Sequence, residues 1–152
     1  MAASVKNSSQ VDPRVSNLKC IYFNARSLVN KVSELEVLLS TESPEIVGVT
    51  ETWLHNEIHD SEFSFDGYSL FRQDRLSNSK LKGGGLMLLI KSELNPVALL
   101  EYSMRDIPEV LVCRVETTKE CFTIGVCYRP PDSLQDQDKL LYNFIEKWVI
   151  KR

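Results

Sequence analysis

Between Leu18 and Thr50 the sequence leaves room for essentially one local architecture. An apolar run, Leu18-Lys19-Cys20-Ile21-Tyr22-Phe23, ends at Asn24. Ser27 is placed to cap a helix, and Leu28, Val32, Leu35 and Leu39 follow a 4-3-4 spacing that lays one apolar stripe along it. Ser43-Pro44 ends that helix, because a residue before proline is pushed out of helical geometry. The run Ile46-Val47-Gly48-Val49-Thr50 is then β-rich and apolar throughout, as in a strand covered on both faces. Strand, helix and strand in this compass make a βαβ unit whose two strands are parallel and adjacent. The fold class is α/β, and Asn24 and Glu51 fall at one rim of the sheet.

The rest of the chain is antiparallel in character. Tyr68 to Arg72 and Leu86 to Ile90 flank a polar connection containing Ser77-Asn78-Ser79 and Gly83-Gly84-Gly85. Glu109 to Glu116 alternates, offering Val110 and Val112, or Leu111 and Cys113, together with Val115 to a core. Thr117-Thr118-Lys119 turns it into Cys121 to Cys127, a hairpin that ends at Tyr128-Arg129-Pro130-Pro131. Ser133 caps a second amphipathic helix, in which Leu140/Leu141, Phe144/Ile145 and Trp148/Val149 recur every four residues. Residues 1–16 are polar and read as a disordered leader, and 17–152 as one domain.

Composition excludes several classes. With 43% hydrophobic and 26% charged residues the chain is globular, not disordered. A net charge of −3 rules out the global basic field of a nucleic-acid-coating protein. No apolar run reaches membrane-spanning length, Met1 to Ser16 lacks a signal-peptide core, and Ala2 excludes myristoylation. An intracellular setting is expected. The four cysteines, Cys20, Cys113, Cys121 and Cys127, lie in strands without a Cys-x-x-Cys pair and read as reduced core residues.

The chemistry lies where strands end. In α/β sheets ligands bind beyond the carboxyl ends of the strands. There this chain collects the amide of Asn24, the carboxylate of Glu51, the phenol of Tyr128 and the guanidinium of Arg129. Such a set points to metal-assisted work on a phosphodiester. Gly83-Gly84-Gly85 lacks the lysine and spacing of a phosphate loop and reads as a flexible connection entering a strand. Residues 72–91 carry Arg72, Arg75, Lys80, Lys82 and Lys91 against Asp74, five basic to one acidic, net +4, a local band suited to backbone phosphates. His55 and His59 are four apart, but Glu57 stands one place too late for a zinc-protease motif, so they read as loop residues.

As a set, Asn24-Ala25-Arg26-Ser27-Leu28, Glu51-Thr52-Trp53-Leu54, Asp74-Arg75 leading to Gly83-Gly84-Gly85-Leu86, and Tyr128-Arg129-Pro130-Pro131 resemble the first part of a known domain. It is the endonuclease domain of LINE-type (non-LTR, jockey-like) retrotransposon polyproteins, within the endonuclease/exonuclease/phosphatase superfamily. The resemblance covers about residues 18–150. It implies a two-sheet α/β sandwich, a Mg2+ or Mn2+ ion, and hydrolysis of a DNA phosphodiester by in-line attack of water. Asn24 would orient the phosphate, Glu51 would ligate the metal and Tyr128 would hydrogen-bond the scissile phosphate. Arg26, Arg72, Arg75, Lys82 and Arg129 would contact nucleic acid.

The resemblance further implies an Asp-x-Asn, another Asp and a closing Ser-Asp-His, motifs that would fall after Arg152. The sandwich is therefore expected to be incomplete, one sheet with flanking helices, and metal binding weak. Glu51 is expected to face a polar crevice, with Trp53 packed beneath the following loop. Three functions follow: part of a DNA endonuclease that is nuclear and joined to a reverse transcriptase, a catalytically dead remnant that binds metal or nucleic acid weakly, or a relative acting on phosphoinositides or sugar phosphates.

Overall fold

The computed structural model describes residues 17–75, 83–102 and 109–150. Its strands are β1 (Cys20–Asn24), β2 (Ile46–Thr50), β3 (Tyr68–Gln73), β4 (Leu86–Lys91), β5 (Val97–Ala98), β6 (Val110–Glu116) and β7 (Cys121–Cys127). The α-helices are α1 (Val32–Glu42) and α2 (Gln135–Ile150). A four-stranded sheet has the order β1-β2-β4-β3, and a three-stranded sheet the order β5-β6-β7. β1 and β2 pair in parallel with Asn24 opposite Thr50, as the strand-helix-strand reading requires. The other pairings are antiparallel. The two-sheet α/β class is borne out, but the strands do not form a single sheet. The hairpin expected at 109–127 leaves the first sheet and, with β5, builds a second one.

Period-two alternation explains the layering. From β2 and β4, Val47, Val49, Met87 and Leu89 face α1, where they meet Leu35 and Leu39, with Leu28 and Phe63 filling the same core. Their neighbours Ile46, Leu86, Leu88 and Ile90 face the second sheet and meet Leu111, Cys113, Val115 and Val126. β6 is covered on both sides, because Val110 and Val112 pack under Leu141, Phe144, Ile145 and Trp148 of α2. Both sets offered by the sequence for this strand are thus buried, one on each face. Each such side chain contributes about 1.5–3 kcal/mol by leaving water.

Two local expectations are corrected. Ser27 does not cap α1, which starts at Val32 with Lys31 at the cap position. Ser27 instead turns the chain with φ +85° and its Oγ accepts from the Val29 N–H, at 3.4 Å. Of the cysteines, Cys113 alone is buried, its thiol pushed up to about 12 by desolvation, whereas Cys20, Cys121 and Cys127 are exposed on strands that edge their sheets. α1 does stop where proline requires: Ser43 turns left-handed and its N–H returns to the Leu39 carbonyl. His55 and His59 are exposed loop residues, and the His59 N–H donates to Glu62.

Candidate active site

One rim gathers the carboxyl ends of β1, β2, β3 and β7 and the starts of β4 and β6, a consequence of the parallel and antiparallel pairings above. Thr50 pairs with both Asn24 and Leu86, so the β1 exit and the glycines before β4 flank the β2 exit. Beyond Thr50 the backbone turns left-handed at Glu51, φ +57°. The turn is held by a lattice of main-chain bonds. Ser27 and Leu28 N–H donate to the carbonyls of Glu51 and Thr52, while Thr52 and Trp53 N–H donate to those of Gly85 and Gly84.

The Glu51 side chain sits at the centre. Its Oε2 accepts from the Trp53 indole at 2.6 Å and from the Gly84 N–H at 3.1 Å. The Tyr128 hydroxyl lies near enough to this carboxylate to help hold it ionised. Partial burial by itself would raise the pKa of Glu51. The bonds from Tyr128, Trp53 and Gly84, with the positive charge of Arg75, outweigh it and hold the carboxyl below the usual range. The same bond to Glu51, then desolvation, pushes the Tyr128 phenol up to about 12. Glu51 is therefore an anion and Tyr128 a proton donor throughout the physiological range.

A second carboxylate, Glu109, went unread as a site residue. It is buried at the start of β6, where Arg75 grips it at two points, Nε–Oε1 2.8 Å and NH2–Oε2 3.0 Å. The Gly85 N–H donates to it at 3.0 Å. The bond to Glu109, partly opposed by desolvation, raises the Arg75 pKa. The signal that could have found Glu109 is the one that found Glu51: a carboxylate abutting an apolar strand.

The glycine triplet is not a loose connection. All three residues have positive φ, and a Cβ on Gly84 would collide with Arg75 and Glu109. A Cβ on Gly85 would come within 2.5 Å of the Thr52 hydroxyl. Only glycine lets the backbone pass under the ion pair while offering two N–H groups to two carboxylates.

Asn24 is exposed at the rim, its Oδ1 accepting from the Arg26 N–H at 3.1 Å, and Arg26 is exposed beside it. The described members of the basic band each have acidic partners. Arg72 binds Asp74, Asp60 and the His55 carbonyl, Arg75 binds Glu109, and Lys91 binds Glu45. Lys82 and Lys80 lie outside the described residues. Arg129 leaves β7 toward α2 and pairs at two points with Asp138, 2.8 and 2.7 Å. Asn24, Arg26, Glu51, Arg75 and Tyr128 thus share the rim, while Arg72 and Arg129 are engaged in ties between structural segments. Trp53 does not pack beneath a loop: its indole is held up at the rim by Glu51.

The fold has counterparts among solved structures. The endonuclease domain of TRAS1, a telomere-specific non-LTR retrotransposon, superimposes with a TM-score of 0.64 at 13% identity, over 86% of this chain and 52% of that one. The AP endonuclease LMAP from Leishmania major gives 0.63 at 14%, over 86% and 47%. An AP endonuclease from Archaeoglobus fulgidus gives 0.57 at 18%, over 88% and 51%. The chain has the endonuclease/exonuclease/phosphatase fold. It spans about half the length of these endonuclease structures. No protein-family model matches the sequence, and no curated protein matches it. Among the described residues no helix is long and apolar enough to cross a membrane.

Proposed function

We propose that this rim is the phosphate- and metal-binding part of a metal-dependent DNA endonuclease site. The observation that carries the reading is Glu51: a carboxylate fixed by Trp53 and Gly84 at the carboxyl end of a buried strand and held below the usual pKa range. The endonuclease fold of the chain supports it.

The donors suit a hard divalent cation, which takes oxygen ligands and keeps much of its water. Mg2+ or Mn2+ would be held by Glu51 with the Asn24 amide alongside, and weakly, since Glu109 is consumed by Arg75 and Gly85. Such an ion would supply positive charge that polarises a phosphoryl oxygen. Asn24 would donate a hydrogen bond to the phosphate, and Tyr128, whose high pKa keeps its proton in place, would do so by turning its single O–H from Glu51 to the phosphate. Arg26 is the exposed cation of the described rim, and Lys82 is assigned with it from sequence. Arg72, Arg75 and Arg129 are better described as fixing the segments around the site. On this reading the substrate is chromosomal DNA, the setting is nuclear, and the retrotransposon resemblance adds a reverse transcriptase as the neighbouring partner.

The test is oligonucleotide binding with and without Mg2+. Added Mg2+ ordinarily weakens protein–DNA association by competing for phosphates. Here it is expected to strengthen binding to the parent chain, and to weaken binding to Glu51→Gln. Equal Mg2+ responses in the two proteins would refute the assignment.

A further inference from the structure

Among the described residues, Trp53 is the rim side chain whose exposure the site chemistry leaves unexplained. Its side chain is 39% exposed, although indole is normally among the more buried groups. Its backbone is left-handed at φ +57°, a rare and costly state for a bulky residue. Three contacts enforce that state. The indole N–H donates to Glu51 at 2.6 Å, the main-chain N–H donates to Gly84 at 2.9 Å, and Gly83 lies against the indole nitrogen, which a Cβ there would approach to 3.6 Å. With its polar edge tied to Glu51, the ring cannot turn inward. Its remaining apolar surface stays at the rim, in fixed relation to the carboxylate.

We propose that Trp53 is a stacking platform for a nucleobase adjoining the phosphate that Glu51 faces, so that the preferred ligand is unpaired or locally opened DNA. The proposal rests on the endonuclease reading and narrows its substrate. A base inside a duplex has both faces covered by its neighbours, whereas a splayed base exposes a π-face to an aromatic side chain. Stacking of this kind tolerates any base. A rim of phosphate donors beside one fixed aromatic surface matches a backbone with an unstacked base attached.

The experiment compares two single strands of equal length, a thymidine oligonucleotide and the same backbone with abasic residues throughout. Binding is read by fluorescence anisotropy. The parent chain is expected to favour the base-bearing strand by about tenfold or more. Trp53→Ala should bind both strands alike, whatever its overall affinity, because it also loses the indole N–H that fixes Glu51. Trp53→Phe keeps an aromatic face and should retain most of the preference. Tryptophan emission of the parent should be quenched by the base-bearing strand, and that quenching should vanish in Trp53→Phe. Trp53→Phe lacks the same N–H as Trp53→Ala but keeps the ring, so the ratio of the two strand affinities within each variant isolates stacking from the loss of the Glu51 bond. A parent that binds both strands equally, with Glu51-dependent Mg2+ enhancement, overturns stacking and leaves the endonuclease reading standing. A parent that binds neither overturns both.

Discussion

Arg75 crosses from the end of β3 to Glu109 at the start of β6, joining the two sheets by a two-point ion pair beside the candidate site. Glu109 is buried, so the charge it carries depends on that partner and on Gly85. Removing one member of such a pair leaves the other uncompensated, whereas replacing both with apolar groups can be nearly neutral. Glu109→Gln is therefore expected to cost about 3 kcal/mol in urea unfolding. A double variant, Arg75→Met with Glu109→Leu, should recover much of the loss. A Glu109→Gln cost within the noise of a surface substitution would show that the pair does not tie the sheets.

Gly84 and Gly67 provide a matched comparison. Both have positive φ, +72° and +78°, but a Cβ on Gly67 meets nothing within 4 Å while one on Gly84 meets the ion pair. Gly67→Ala should cost about 1 kcal/mol, the backbone term alone. Gly84→Ala should cost several-fold more and should weaken Mg2+-dependent DNA binding, since it moves the N–H that fixes Glu51. Equal melting shifts for the two variants would contradict the packing described here.

The bond between Tyr128 and Glu51 has opposite signatures at the two ends of the pH scale. Tyr128 is raised from about 10 to about 12, so its contribution to stability is complete below pH 10 and is lost as pH climbs toward 12. Glu51 is lowered, so its contribution is present above the ordinary carboxylate range and is lost as pH falls through the folded value. Urea midpoints measured across pH should show a flatter alkaline limb for Tyr128→Phe and a flatter acid limb for Glu51→Gln. Titration of tyrosinate absorbance should also lose its latest component in Glu51→Gln. An unchanged titration in that variant would mean that the two side chains are not bonded in solution.

The 152-residue polypeptide by itself is expected not to nick supercoiled plasmid in Mg2+. Of the two carboxylates described at the rim, Glu109 is already saturated, which leaves Glu51 to ligate without a partner free to activate water. General base action commonly contributes about 10²- to 10⁴-fold. Nicking that disappears in Glu51→Ala would overturn this expectation.

The parts of the molecule visible in the sequence are those set by local pattern. Ile46–Thr50 matched its strand to the residue, and Val32, Leu35 and Leu39 face the core as their spacing demanded, whereas Leu28 is buried from the turn before the helix begins. The shared rim of Asn24 and Glu51 followed from those two elements and the connection between them. What escaped is tertiary. No local pattern says that β6 and β7 leave the first sheet, because alternation in a hairpin does not name the sheet it joins. Glu109 was read only as the start of an alternating strand, because its partner, Arg75, is 34 positions away. The glycine triplet looked pliable because its composition is that of a linker, and only the carboxylates closing on it from Glu51 and Glu109 make it rigid. Ser27 illustrates the converse, a good capping residue taken up by a left-handed turn before the helix begins.

The three groups that hold Glu51 ionised lie at very different depths in the chain: Trp53 two residues on, Gly84 past β3, and Tyr128 beyond the second sheet's hairpin. Synthesis proceeds from the amino terminus and structure forms behind it. A nascent polypeptide thus carries this carboxylate first with a neighbouring indole, then with a glycine amide, and only late with a phenol. The candidate centre consequently has an order of birth. Its electrostatics are completed by the arrival of β7, so the growing chain passes through a long interval in which the carboxylate is made but not yet tuned.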